Sequence, residues 1–210
     1  MQIIMGVTSV LITGYPKFSN FENNVSEKIL LLLKEIDFGK IRIFTELLSV
    51  DEFGSKFTAN KIKSGETFDV IIHLGFSSKS TKIRFEKYAY NEYKMSKPDN
   101  SGRCISNGEI IDNQKEKYQT NIDFSSLNYE FEKESHIEWS EDPGRYICNE
   151  TYFNTLNAIS EKSRNNDVKV LFVHLPSELI LDISKQIKII TRLIKCMTKP
   201  YLEVVGGVIF

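Results

Sequence analysis

"VKVLFVHLP" (168–176), running directly into "SELILDISKQIKIITRLIKCMT" (177–198), is the stretch that decides the fold. The first part is a continuous apolar, β-branched run closed by Pro176, the pattern of a strand buried on both faces. The second carries apolar residues at helical spacing and predicts a long amphipathic helix with Ser177 as its N-cap. A strand buried on both faces needs helices on either side, and the same pairing recurs upstream. "SVLITGY" (9–15) reads as a buried strand ending at a glycine turn. "VSEKILLLLKEI" (25–36) follows as a helix whose wet side is marked by Glu27, Lys28, Lys34 and Glu35. "KIRIFTELLSV" (40–50) contains a second strand and "FDVIIHLGF" (68–76) a third. The expected fold is α/β: a three-layer α/β/α sandwich around a mainly parallel, twisted sheet. The chain is expected to form a single domain over 1–210, with a polar, irregular surface excursion at about 113–138.

Composition excludes several classes. Hydrophobic residues make up 41% and charged residues 26%, as in ordinary globular proteins. The formal charge of −1 gives no pull toward nucleic acid or an acidic membrane. No uncharged apolar run approaches the roughly 18–20 residues that span a bilayer. The opening "MQIIMGVTSVLITGYP" lacks a basic leader and a small-residue cleavage site, so it reads as a buried first strand. Three cysteines, Cys104, Cys148 and Cys196, are odd in number and unclustered. That argues against a disulfide framework and a cysteine-rich zinc site, and for a reducing compartment. A cytoplasmic protein without metal is the expectation.

In such a sheet, active groups gather at the carboxyl ends of the strands. Gly14–Phe18, Gly75–Asn91 and His174–Pro176 sit at such ends. Of the three histidines, His136 falls in the polar excursion and His73 inside an apolar run, where a satisfied core histidine is expected. His174 ends a strand. Cys148 follows the turn residues Asp142, Pro143 and Gly144, at the start of a helical pattern carried by Tyr152, Leu156 and Ile159. A thiol there feels the positive helix end, and the free N–H groups could receive an oxyanion. Cys148 and His174 are the only Cys/His pair at loop-facing ends; Cys196 reads as a core residue of its helix. Glu86, on residue type alone, reads as a solvated carboxylate.

A series of short motifs resembles the cysteine-type pyrrolidone-carboxylate (pyroglutamyl) peptidases. "ITGYPKF" (12–18) is similar to that family's first strand and turn, and "NVS" (24–26) to its Asn-Pro-Ser. "HLG" (73–75), "FEKYAYN" (85–91), "PDNSG" (98–102), "SEDPGRYICN" (140–149) and "FVHLP" (172–176) follow in the family's order and spacing. The resemblance implies a triad of Glu86, Cys148 and His174. It also implies Tyr15 and Tyr146 as aromatic faces for a lactam ring, Phe18 as a further apolar wall, and Asn24 as a hydrogen-bond partner of the lactam amide. The implied activity is release of pyroglutamate from peptides through a thioester, with no metal or organic cofactor. The implied partners are peptides with N-terminal pyroglutamate, and homo-oligomerisation is left open. Two alternatives are the same triad acting on another acyl or lactam group in a biosynthetic pathway, and a catalytically silent homologue that binds peptide or a partner. The sequence departs from the family pattern at Phe76, at "SKS" (78–80), at Ser96 and Lys97, and at Tyr15 in place of phenylalanine. The apolar ending "YLEVVGGVIF" (201–210) is expected to pack on the body or on a neighbouring subunit.

Overall fold

The computed structural model describes residues 7–16, 24–162 and 168–199. Its elements are β1 (Thr8–Gly14), α1 (Val25–Leu33), β2 (Ile41–Leu47), α2 (Glu52–Lys63), β3 (Val70–Phe76), β4 (Ile83–Glu86) and β5 (Tyr88–Tyr90). These are followed by β6 (Lys117–Gln119), α3 (Phe124–Glu130), β7 (Ile137–Ser140), α4 (Ile147–Glu161), β8 (Lys169–Leu175) and α5 (Ile183–Met197). Six strands form one sheet in the order β2-β1-β3-β8-β4-β7, and β5 and β6 pair in a separate antiparallel ribbon. The first four strands of the large sheet are parallel. β4 runs antiparallel to β8, and β7 is parallel to β4.

Alternation along each central strand splits the interior into two cores. Val10 and Ile12, Val70, Ile72 and Leu74, and Leu171, Val173 and Leu175 join α1, α3 and α5 on one face. Leu11, Ile71, Val170 and Phe172 join α2 and α4 on the other. This is the expected three-layer sandwich. Each central side chain, removed from water, contributes about 1.5–3 kcal/mol of transfer free energy, which holds the sheet between its helices.

Three readings of the sequence need correction. The last helix starts at Ile183, capped by Asp182, whose side chain accepts from the Ser184 N–H. Ser177 instead caps a turn, accepting the Leu179 N–H at 3.2 Å. The 113–138 excursion is not irregular: it contains β6, α3 and the start of β7. Tyr118, Ile122, Leu127 and Phe131 are buried there, spaced singly among charged residues so that neither a helical nor a strand period stands out. Glu86 is fully buried rather than solvated. Phe18 and the apolar ending lie outside the described residues.

Candidate active site

The alternation that builds the two cores also selects the site residues. His174 lies two positions after Phe172 on β8 and therefore faces α4. On β4, Ile83 and Phe85 enter the α1/α5 core, which turns Arg84 and Glu86 toward α4. Because β4 is antiparallel to β8, Arg84 pairs with His174 and Glu86 pairs with Phe172. Glu86 thus sits one step deeper in the sheet than His174.

Cys148 reaches the same place from above. Gly144 (φ +82°) takes the left-handed conformation that closes the Asp142–Gly144 turn, and its N–H donates to Asp142 Oδ1 at 3.0 Å. Tyr146 is the N-cap of α4 but supplies no side-chain acceptor. The first intrahelical bond there is from Glu150 N–H to the Tyr146 carbonyl, at 3.1 Å. The N–H groups of Ile147, Cys148 and Asn149 have no acceptor among the described residues. Below them lies Gly75, paired with His174 across β3 and β8. A Cβ on Gly75 would stand 2.8 Å from Phe172 Cε1 and 3.1 Å from Cys148 Sγ, so only glycine lets the thiol down onto the sheet.

His174 is 6% exposed, and its Nδ1 lies 2.8 Å from Glu86 Oε1. An ionised carboxylate only accepts, so Nδ1 carries the hydrogen and Nε2 is left for the thiol. Burial opposes a charged ring, but hydrogen bonds to Cys148 and Glu86, with the negative charge of both, outweigh it and raise His174 to about 9. The Arg84 Nε lies 3.6 Å from the same Glu86 oxygen.

A cleft of about 490 Å³ opens over this group. Tyr15, Asn24, Val50, Phe76, Lys97 and Tyr146 line it, together with Cys148 and His174. The Tyr15 hydroxyl, which a phenylalanine would lack, donates to Thr151 Oγ1 at 2.7 Å, one turn after the cysteine. Burial, then the negative charge of Cys148, raises its pKa and keeps the phenol protonated. The Tyr146 hydroxyl donates to the Pro98 carbonyl at 3.0 Å. Asn24 caps α1, its Oδ1 accepting from Ser26 N and its Nδ2 donating to the Pro16 carbonyl, both at 3.0 Å. One Nδ2 hydrogen remains to offer a ligand. Among the described residues, no set of three or more His, Cys, Asp or Glu side chains is arranged to hold a metal ion.

The family model for pyroglutamyl peptidase matches residues 8–192. The chain belongs to the pyroglutamyl peptidase family. It is 29% identical over 170 residues to the pyrrolidone-carboxylate peptidase of Thermosipho melanesiensis, covering 80% of this chain and 82% of that one. With the pyrrolidone-carboxylate peptidase of Pyrococcus furiosus it shares 24% over 178 residues, covering 84% and 86%. The crystal structure of pyrrolidone carboxyl peptidase from Fervidobacterium islandicum superposes with a TM-score of 0.78 at 28% identity, covering 90% of this chain and 96% of that one.

Within this pyroglutamyl peptidase fold, the structure brings together Glu86, Cys148, His174, Tyr15, Asn24 and Tyr146, all but the buried Glu86 lining one cleft. Residue reasoning missed the support beneath them. Arg103 forms a two-point ion pair with the buried Glu150, at 3.0 and 2.7 Å, and reaches Asp99 at 2.9 Å. Tyr93 donates to Glu150 at 2.9 Å. This network ties the loop carrying Pro98, to which Tyr146 is hydrogen-bonded, to the first turn of α4, which carries Cys148. Its signal was the "PDNSGR" turn, where Asp99 and Arg103 lie four residues apart.

Proposed function

We propose that this chain is a cysteine exopeptidase that hydrolyses the N-terminal pyroglutamyl group from peptides. The observation that carries the reading is the Cys148–His174–Glu86 line at the base of a cleft walled by Tyr15 and Tyr146. A small neutral lactam wants flat apolar faces and a few placed polar groups, which these two rings and Asn24 supply. His174 holds the proton of Cys148, and the sulfur attacks the pyroglutamyl carbonyl. The free N–H groups at the start of α4 receive the oxyanion. His174 then gives the proton to the departing amine as the C–N bond breaks, leaving a thioester. A water, deprotonated by the same ring, cleaves the thioester and releases pyroglutamate. Glu86 fixes the imidazole and balances its charge.

No helix among the described residues is long and apolar enough to cross a membrane. The three cysteines are unpaired, and a thiol nucleophile needs a reducing setting; both features support a cytoplasmic location. The test is release of a fluorogenic amine from its pyroglutamyl amide under reducing conditions, beside prolyl and glutamyl analogues and a Cys148→Ala control. Selective turnover that depends on Cys148 is expected. Turnover retained in Cys148→Ala would remove the nucleophile assignment. No turnover, with Cys148 alkylated faster than Cys104 or Cys196, would point to a different acyl group.

A further inference from the structure

The strand order gives the cleft two distinct sides. Across the sheet from β1 to β4 stand Tyr15, then Gly75 beneath Cys148, then His174, then Arg84. Tyr15, Asn24 and Tyr146 hold the acyl group on the β1 side. His174 delivers its proton to the departing amine, so the residue bearing that amine lies toward β4. That side is cationic. Arg84 stands there, Lys79 lines the same cleft from the loop that leads from β3 to β4, and Arg84 is oriented by its own bonds: Nη2 donates to Ser140 Oγ and, at 2.7 Å, to the Asp142 carbonyl. Its Nη1 has no partner among the described residues and can still donate twice. Asp142 is the only carboxylate among the described lining residues. It is already bound to Arg145 Nη1 at 2.6 Å and to the Gly144 N–H. Glu86 is fully buried and held by His174.

From this we infer a carboxylate subsite at Arg84 and Lys79, which selects pyroglutamyl peptides whose departing residue carries a free carboxylate. The inference rests on the proposed peptidase activity and names its substrate class. A departing amino acid presents a carboxylate in two ways: at its own C-terminus, when the substrate is a dipeptide, or in an acidic side chain. Arg84 offers a planar pair of donors to either, and Lys79 adds a mobile charge at the rim. Lys97 is on the other side, 5.6 Å from the centre of the Tyr146 ring, and is not part of this subsite.

The test measures kcat/KM at neutral pH and low salt for pyroglutamyl-alanine, pyroglutamyl-alanine amide, pyroglutamyl-glutamate amide and pyroglutamyl-lysine amide. At least one of the two carboxylate-bearing substrates should exceed the alanine amide by about tenfold, the effect of one charge-assisted hydrogen bond. Preference for pyroglutamyl-alanine marks the terminal carboxylate, and preference for the glutamate amide marks the side chain. Lys79→Gln should reduce the preference about threefold while leaving the alanine amide unaffected, since only the screened rim charge is lost. Arg84→Gln should abolish it and Arg84→Lys keep part of it. Equal turnover of all four substrates, or a preference unmoved by Lys79→Gln and Arg84→Gln, would overturn the subsite while leaving the peptidase activity standing. No turnover of any of the four would overturn the activity and the subsite with it.

Discussion

Two buried histidines on the same face of the sheet have opposite chemistry. His73 on β3 is fully buried, with Thr13 Oγ1 2.7 Å from Nδ1 and Thr155 Oγ1 3.0 Å from Nε2. Burial pushes it down to about 3. His174, on the neighbouring strand, is nearly as buried, yet it is raised to about 9 because its partners are Cys148 and Glu86. Phe172 stands between the two rings, 5.9 Å from one and 4.8 Å from the other. Depth is therefore not what decides whether a histidine is charged here. Hydroxyl partners can satisfy a ring but cannot balance its charge; a carboxylate and a thiolate can.

The contrast can be broken at several points. Cys148→Ala should lower kcat by about 10⁴-fold or more in a pyroglutamyl amide assay, with the melting temperature held, because the attacking atom is gone. His174→Ala should cost roughly 10³-fold, as the thiol loses its base and the amine its acid. Glu86→Gln should cost roughly 10²-fold. An amide N–H facing Nδ1 would favour the tautomer with hydrogen on Nε2, which cannot take the thiol proton. The same variant should also move the alkaline limb of the rate profile, set near 9 in the native site, to lower pH, since a negative partner is removed. An unmoved limb would return Glu86 to a packing role.

On the other ring, Thr155→Val should cost about 1–3 kcal/mol of stability in urea unfolding and leave the pH–rate profile in place. Tyr15→Phe should be the mildest change, about 1 kcal/mol or less, with KM affected before kcat. Linkage gives one more expectation. His174 binds its proton more tightly folded than unfolded, so the stability it adds is full below about pH 6.5 and is lost as pH rises through about 9. The stability gap between the native chain and His174→Ala, measured by urea unfolding across that window, should shrink with rising pH.

The strands and helices with strong periods were legible. β1, β3 and β8 are each built around a dense apolar, β-branched run, and the two cores follow from their alternation. Legibility failed where local pattern was thin. Glu86 sits in a four-residue strand, "IRFE", too short to show its period, and its burial depends on the reversed pairing of β4 with β8. The helix after Pro176 begins late because Ser177 and Asp182 both offer caps, and the turn at 178–180 takes the first. α2 carries a glycine, Gly54, in its first turn, a residue that weakens a helical pattern. In the structure a Cβ there would lie 2.0 Å from the Ser49 carbonyl oxygen, so the glycine is a contact requirement. At the site, Cys148 and His174 could be paired by residue type, whereas Glu86, Tyr15 and Asn24 needed the resemblance.

The depth of Glu86 also governs where protons can travel. With Glu86 fully covered and His174 almost so, the exit to water among the described residues is the mouth above the thiol. Once a peptide fills that mouth, the proton lifted from sulfur is sealed in with the bond to be cut. It can return to sulfur, undoing the attack, or pass to the departing nitrogen. In the proposed mechanism the acylation step thus closes its own proton circuit, and the site meets bulk water again once the shortened peptide leaves and the hydrolytic water enters.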